Sequence, residues 1–247
     1  MSTEPPRRTL VVDADDTLWE NNVYFEESIE EFIDHLDHST LDRAGVREAL
    51  AEVERATIVE HGYGSDSFGR SLRACFALHA ERQPTDGDLA VLTMLGRRIL
   101  EQPVQLLDGV VDTLEQLYRR HRLVLLTKGQ PDEQRVKIER SGLQPYFSQT
   151  RVVPEKTRDT YVRLLEELGS VPAETFMIGN SPRSDINPAL AAGMHAVYVP
   201  HRSTWVLEQQ DLDHGHERLH VVDRFEALVP LLLGDPDNGT TSRWSRG

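Results

Sequence analysis

The chain reads as an α/β protein: a doubly wound parallel sheet with an all-helical cap. Two observations predict this. From about residue 104 onward, short apolar runs alternate with helical segments, the pattern of parallel strands joined by crossover helices. Between about 23 and 103 the periodicity is helical throughout. The apolar run near 9 to 13 belongs with the later strands, so the helical block is an insertion after strand one. The expected division is 1–22 and 104–234 for the core, 23–103 for the cap, and 235–247 for a fraying tail rich in Gly, Asp, Asn, Ser and Thr.

The elements follow in order. Leu10, Val11 and Val12 make the first strand. Phe25, Ile29, Phe32, Ile33 and Leu36 recur at helical spacing, as do Val46, Leu50, Val53 and Ile58. Phe68, Leu72, Cys75 and Phe76 mark a third cap helix, and Leu89, Leu92, Leu95 and Ile99 a fourth. The turn His61-Gly62-Tyr63-Gly64-Ser65 separates the second from the third, and Pro84 and Pro103 punctuate the ends. In the core, 123–126, 151–153, 175–178, 196–199 and 219–222 read as strands. Residues 131–141, 157–169, 184–192 and 224–233 read as helices.

Composition narrows the function. A chain of 247 residues can bury a sizeable core. Its formal net charge of −14 opposes binding to nucleic acid or to an anionic membrane surface. A small phosphorylated substrate stays open, because local cations decide that. Cys75 is the single cysteine, so no internal disulfide forms and a reducing cytoplasm fits. Leu72 and Phe76 beside it predict a buried thiol. No run of about 18 apolar residues spans a membrane. The start lacks the apolar segment of a signal peptide.

Chemistry gathers at the strand ends. Strand one runs into Asp13-Ala14-Asp15-Asp16-Thr17, three carboxylates crowded together. Such crowding is tolerated chiefly where a cation or a reaction uses it. Mg²⁺ suits an all-oxygen set beside phosphate. Strand two ends in Thr127-Lys128-Gly129. Pro154-Glu155-Lys156 follows strand three, and strand four ends in Gly179-Asn180-Ser181 with Asp185 close behind. In such sheets ligands bind at the carboxyl ends of the strands. Each residue alone has a plainer reading: a turn for Asp13 and Asp15, a strand end for Thr127, a solvated amine for Lys156, a helix cap for Asp185. Their shared placement favours a site.

Together these segments resemble the four motifs of the haloacid dehalogenase (HAD) superfamily, in its phosphatase branch with a helical cap. The motifs are Asp13-Ala14-Asp15-Asp16-Thr17, Thr127, Lys156 and Gly179-Asn180-Ser181-Pro182-Arg183-Ser184-Asp185. The resemblance runs over roughly residues 9 to 233 and implies a Rossmann-like core. It implies a Mg²⁺-dependent phosphomonoesterase acting on a small phosphorylated metabolite. Asp13 is then the nucleophile, Asp15 the general acid and base, and Thr127 and Lys156 the partners of the phosphoryl group. Asp13, Asp15, Asn180 and Asp185 form the metal set, and Lys128 and Gly129 hold phosphate. Tyr63 and Ser67, from the cap turn, are candidate substrate contacts, with Phe68 as core.

Two positions depart from the family pattern: Asn180, where Asp is frequent, and Asp16, where Gly is frequent. Asn180 keeps an oxygen but loses a charge; Asp16 reads as a turn residue. Asp15 points away from attack on carbon and toward phosphoryl transfer. The absence of lysine between 18 and 103 disfavours phosphonate cleavage. A phosphomutase and a non-catalytic phosphate-binding module on the same fold remain alternatives. Trp19, Asn21 and Asn22 could line an entrance, Arg70 and Arg73 read as solvated, and His214 and His216 sit in a polar loop. The sequence leaves the oligomeric state open.

Overall fold

The structure is a computed structural model and describes residues 7–234. The expected fraying tail at 235–247 lies outside the described residues. The sheet is built from β1 (Thr9–Val12), β2 (Arg122–Lys128), β3 (Gln149–Val153), β4 (Thr175–Gly179), β5 (His195–Tyr198) and β6 (Leu219–Val221). All pairs are parallel, in the order β3-β2-β1-β4-β5-β6. The order reverses between β1 and β4, and that switch point is where open α/β sheets take ligands. Val12 is in register with Leu125 on one side and Ile178 on the other. The Asp13 amide carries the β1–β4 pairing one residue further, donating to the Ile178 carbonyl at 2.9 Å.

Four helices follow β1 as one block: α1 (Asn22–Leu36), α2 (Arg43–His61), α3 (Ser65–His79) and α4 (Asp86–Glu101). Their apolar stripes meet in a cluster of their own, with Phe32, Leu50, Phe68, Leu72, Cys75, Phe76, Leu92 and Leu95 buried. Asp42 caps α2 by accepting the Gly45 amide, and Thr85 with Asp88 forms a capping box on α4. Gly69 of α3 and Gly96 of α4 face each other. A Cβ on Gly96 would lie 2.8 Å from the Gly69 Cα, so the two helices approach more closely than any larger residue would permit.

The core helices are α5 (Val110–Leu117), α6 (Pro131–Ser141), α7 (Arg158–Leu168), α8 (Asn187–Ala191) and α9 (Leu228–Leu233). Val110, Leu114, Leu117, Ile138, Leu228 and Leu232 cover one face of the sheet. Tyr161, Leu164, Leu165, Leu168 and Ala189 cover the other. Every expected strand and helix is found. The additional helix α5 is only two turns long, too short for its period to stand out. The turn at 62–64 docks on the edge of the sheet. The Tyr63 hydroxyl donates to Glu155 at 2.7 Å, and the Ser65 hydroxyl donates to Glu133 at 2.6 Å. Among the described residues, no helix is long and apolar enough to cross a membrane.

Candidate active site

Asp13 leaves the sheet at the tip of β1, flanked by the tips of β2 and β4. Its carboxylate is buried and has few donors. The Thr17 hydroxyl donates to Oδ2 at 3.1 Å, and Lys156 Nζ donates to Oδ1 at 2.5 Å. The same ammonium donates to Asp185 Oδ1 at 2.7 Å, so one cation bridges two buried acids. Burial and the Asp185 charge push Asp13 up to about 7 against the pull of Lys156. Burial opposes the charge on Lys156, but Asp13 and Asp185 outweigh it and hold its pKa above the ordinary value.

Asn180 and Asp185 arrive from β4. Thr17 Oγ1 lies 3.3 Å from Asn180 Oδ1, so a single hydroxyl touches both Asn180 and Asp13. Asp185 sits in a π-helical turn, Pro182–Ile186, and its Oδ2 accepts the Ser181 amide at 3.0 Å. Gly179 makes room for it. A Cβ there would run into Asp185 Oδ2, so any side chain would displace the acid. Asp13, Asn180 and Asp185 thus offer oxygens only, a donor set that fits Mg²⁺.

Asp15 has turned to other partners. Its carboxylate accepts from Trp19 Nε1 at 2.7 Å, Gln134 Nε2 at 2.8 Å and Lys137 Nζ at 2.9 Å. Among the described residues it shares no hydrogen-bonding partner with Asp13, Asn180 or Asp185. Burial would raise its pKa, but Lys137, Gln134 and Trp19 overcome this and hold it below the ordinary value. Sequence reasoning missed Lys137 and Gln134. The available signal was their spacing of three, which puts both on one face of α6.

The remaining expected residues line the same cavity, of about 150 Å³, between the helical block and the sheet edge. Thr127 is buried there, its hydroxyl only 3.5 Å from the Lys128 carbonyl. One expectation shifts. The Gly129 amide, expected to hold phosphate, donates to the Val153 carbonyl at 3.3 Å. The Lys128 ammonium, which the sequence leaves open between the phosphate site and solvent, donates to Glu208 at 2.5 Å and to Ser184 at 2.9 Å, and sits 4.2 Å from the centre of the Tyr63 ring. Glu208 in turn accepts from the Ser181 hydroxyl. It lies far along the chain in a short helical turn, with no motif to announce it. Tyr63 reaches the cavity but spends its hydroxyl on Glu155. The Ser67 hydroxyl is buried beside the cavity without a hydrogen-bond partner among the described residues. Phe68 packs edge-on against Phe25 as core. Asn21 and Asn22 line the cavity, whereas Trp19 is buried beneath Asp15.

Asp16 is a turn residue, as its chemistry predicts. Its φ of 59° is left-handed, and its side chain accepts the amides of Asn21 and Asn22 at 2.8 and 3.0 Å. That conformation explains why glycine also suits the position. Asp16, Glu20 and His201 bring potential ligand atoms within 4.8 Å of one another. The Asn21 and Asn22 amides serve Asp16, while Arg202 donates to Glu20 and His201 Nε2 lies 3.2 Å from it. Arg70 pairs with Asp66 on the exposed face of α3.

Known proteins resemble this arrangement. A crystal structure of a haloacid dehalogenase-like family hydrolase from Xanthomonas campestris superimposes with a TM-score of 0.76 at 28% identity, over 90% of this chain and 92% of that one. The HAD-hydrolase-type protein YfnB of Bacillus subtilis, in a form bound to magnesium, shares the fold at TM-score 0.65 and 19% identity, over 92% and 99% of the two chains. L-2-haloacid dehalogenase from Xanthobacter autotrophicus shares it at TM-score 0.62 and 15% identity, over 92% and 99%. Phosphoserine phosphatase from Thermus thermophilus is 38% identical over 82 residues, 31% of this chain and 33% of that protein. The curated relatives are matched over about half of their own length or less. The haloacid dehalogenase-like hydrolase family itself matches residues 7–193. With that match over most of its length, a parallel sheet in the same order of motifs, and the strand-end acids in place, the chain belongs to the haloacid dehalogenase-like hydrolases.

Proposed function

We propose that this hydrolase is a Mg²⁺-dependent phosphomonoesterase that acts on a small phosphorylated metabolite through an aspartyl-phosphate on Asp13. The observation that carries the reading is the Asp13–Lys156–Asp185 bridge at the sheet switch point, with the Asn180 oxygen alongside. Kinship with a phosphoserine phosphatase supports phosphate esters as the substrate class.

Asp13, Asn180 and Asp185 would hold Mg²⁺, which when bound screens the carboxylate from the phosphate dianion. Lys156 keeps Asp13 ionised as it attacks phosphorus, and the Thr127 hydroxyl donates to a phosphoryl oxygen. The P–O bond to the alcohol breaks, and Asp15 gives that oxygen a proton. Water then attacks the aspartyl-phosphate, passes its proton to Asp15 and frees inorganic phosphate. Lys137 holds Asp15 in the proton-accepting form. An arriving phosphate dianion raises its proton affinity and prepares the donor form. With its carboxylate committed to Lys137, Gln134 and Trp19, Asp15 serves proton transfer better than metal binding through its side chain. The second acid also favours attack on phosphorus over attack on carbon.

The test is phosphate release from a panel of phosphomonoesters, with and without Mg²⁺, by wild type and Asp13→Asn. Mg²⁺-dependent release by wild type alone is expected. Equal release by the variant, or none by wild type from any ester, contradicts the assignment.

A further inference from the structure

Glu54 of α2 is a buried carboxyl that the chemistry above does not use. It lines the active-site cavity and is 6% exposed. The same cavity is lined by the apolar side chains of Phe25, Ile29, Ile58 and Phe68. The Trp205 side chain lies beside it, but among the described residues no cation forms an ion pair with it. Of the charged groups that face it, Glu26 repels it, and the exposed Arg55 is its weakest influence. The helical block contains no lysine. The lysines lining the cavity are each committed to another acid: Lys156 to Asp13 and Asp185, Lys137 to Asp15, Lys128 to Glu208. A carboxyl buried without a counter-charge is costly to ionise, and burial raises the Glu54 pKa to about 7, so an ammonium entering the cavity would favour its charged form. Ser67, on the neighbouring helix, adds an unpartnered buried hydroxyl to the same cavity.

We infer that Glu54 determines specificity by receiving the ammonium of an amine-bearing phosphomonoester, whose carbon skeleton lies along the Phe25, Ile29, Ile58 and Phe68 wall. The inference rests on the phosphatase reading for the phosphate end of that substrate. It adds the chemistry of the other end: one cation, an apolar spacer and no second anion, since the cavity has no uncommitted cation to receive one. A purely structural Glu54 would be a latch between α2 and the Trp205 loop, and it would affect all substrates alike.

The experiment compares ω-aminoalkyl phosphates with ω-hydroxyalkyl phosphates of matched chain length, in Mg²⁺, for wild type, Glu54→Gln, Glu54→Asp and Trp205→Phe. Wild type should prefer the amine at its best length by about tenfold or more in kcat/KM. Glu54→Gln should abolish that preference mainly through KM. Glu54→Asp should move the preferred chain length upward, because its carboxylate is drawn back by one methylene. Trp205→Phe should retain the preference. The inference is overturned if wild type treats the two series alike, or if Glu54→Gln lowers both by the same factor. Should wild type hydrolyse neither series, the ester panel described above decides the phosphatase reading separately. Calorimetric binding of the same two series then decides Glu54: an amine preference lost in Glu54→Gln supports it, and equal binding of amine and alcohol overturns it.

Discussion

Asp88 at the start of α4 and Asp13 at the tip of β1 are both buried aspartates with a basic partner, yet they are built for opposite ends. Asp88 accepts the amide and hydroxyl of Thr85 at 2.8 and 2.6 Å, both arms of Arg82 at 2.6 and 2.7 Å, and lies 2.9 Å from His35. The Arg82 and Thr85 bonds hold it well below the usual carboxylate range. Asp13 has one hydroxyl and a share of one ammonium, and burial pushes it up to about 7. An acid saturated with donors fixes a helix. An acid left short of donors keeps lone pairs for a cation and for phosphorus.

The largest expected effect breaks the chemistry and spares the fold. Asp13→Asn should lower kcat for a phosphomonoester by about 10⁴-fold or more, while circular dichroism stays native. Lys156→Met comes next. It leaves Asp13 and Asp185 facing each other without their shared cation. Denaturant unfolding of the metal-free protein at neutral pH should show a loss of about 3–5 kcal/mol. A smaller loss on acidification would sharpen the comparison, because Asp13 then takes up a proton.

The pH dependence separates the two aspartates by sign. The folded-state pKa of Asp13, about 7, lies above the ordinary 3.8, so the folded protein binds the extra proton between those values. In the metal-free protein its contribution therefore improves as pH falls through about 7 and worsens as pH rises. Asp13→Asn should raise stability most above about 7 and least in mild acid, measured as the difference in unfolding free energy from wild type. Asp88 has a depressed folded-state pKa and runs the other way. Its contribution is present above 3.8 and is lost as pH falls further through the folded value. Asp88→Asn should lower the Tm at neutral pH with kcat unchanged. A fall in kcat matching that of Asp13→Asn would erase the distinction. Thr85→Ala should have the smallest effect, about 1 kcal/mol in denaturant unfolding with no change in turnover.

This contrast also marks what the sequence could reveal. Strand ends announce themselves, because an apolar run stops and a polar group follows. Asp13, Thr127 and Asn180 were therefore legible, and Lys156 and Asp185 could be placed by their distance from such ends. The four helices after β1 were legible from their apolar stripes, and Phe68 was correctly placed in the core. The partners that set each acid's state were not. Lys137 and Gln134 reach Asp15 from the face of a helix far along the chain, Glu208 reaches Lys128 across the sheet edge, and His201 meets Glu20 from a loop. Those contacts depend on how elements pack. A glutamate such as Glu54 looks like any other polar position on an acidic helix until the cavity beside it is seen.

The most direct measurement is to find the phosphoryl group. Wild-type protein turning over p-nitrophenyl phosphate in Mg²⁺ would be quenched in acid, digested and weighed by mass spectrometry. Phosphate bound to the peptide that contains Asp13, and missing in Asp13→Asn, is the predicted result. Phosphate release from a wild-type protein that never carries the group on Asp13 would contradict it.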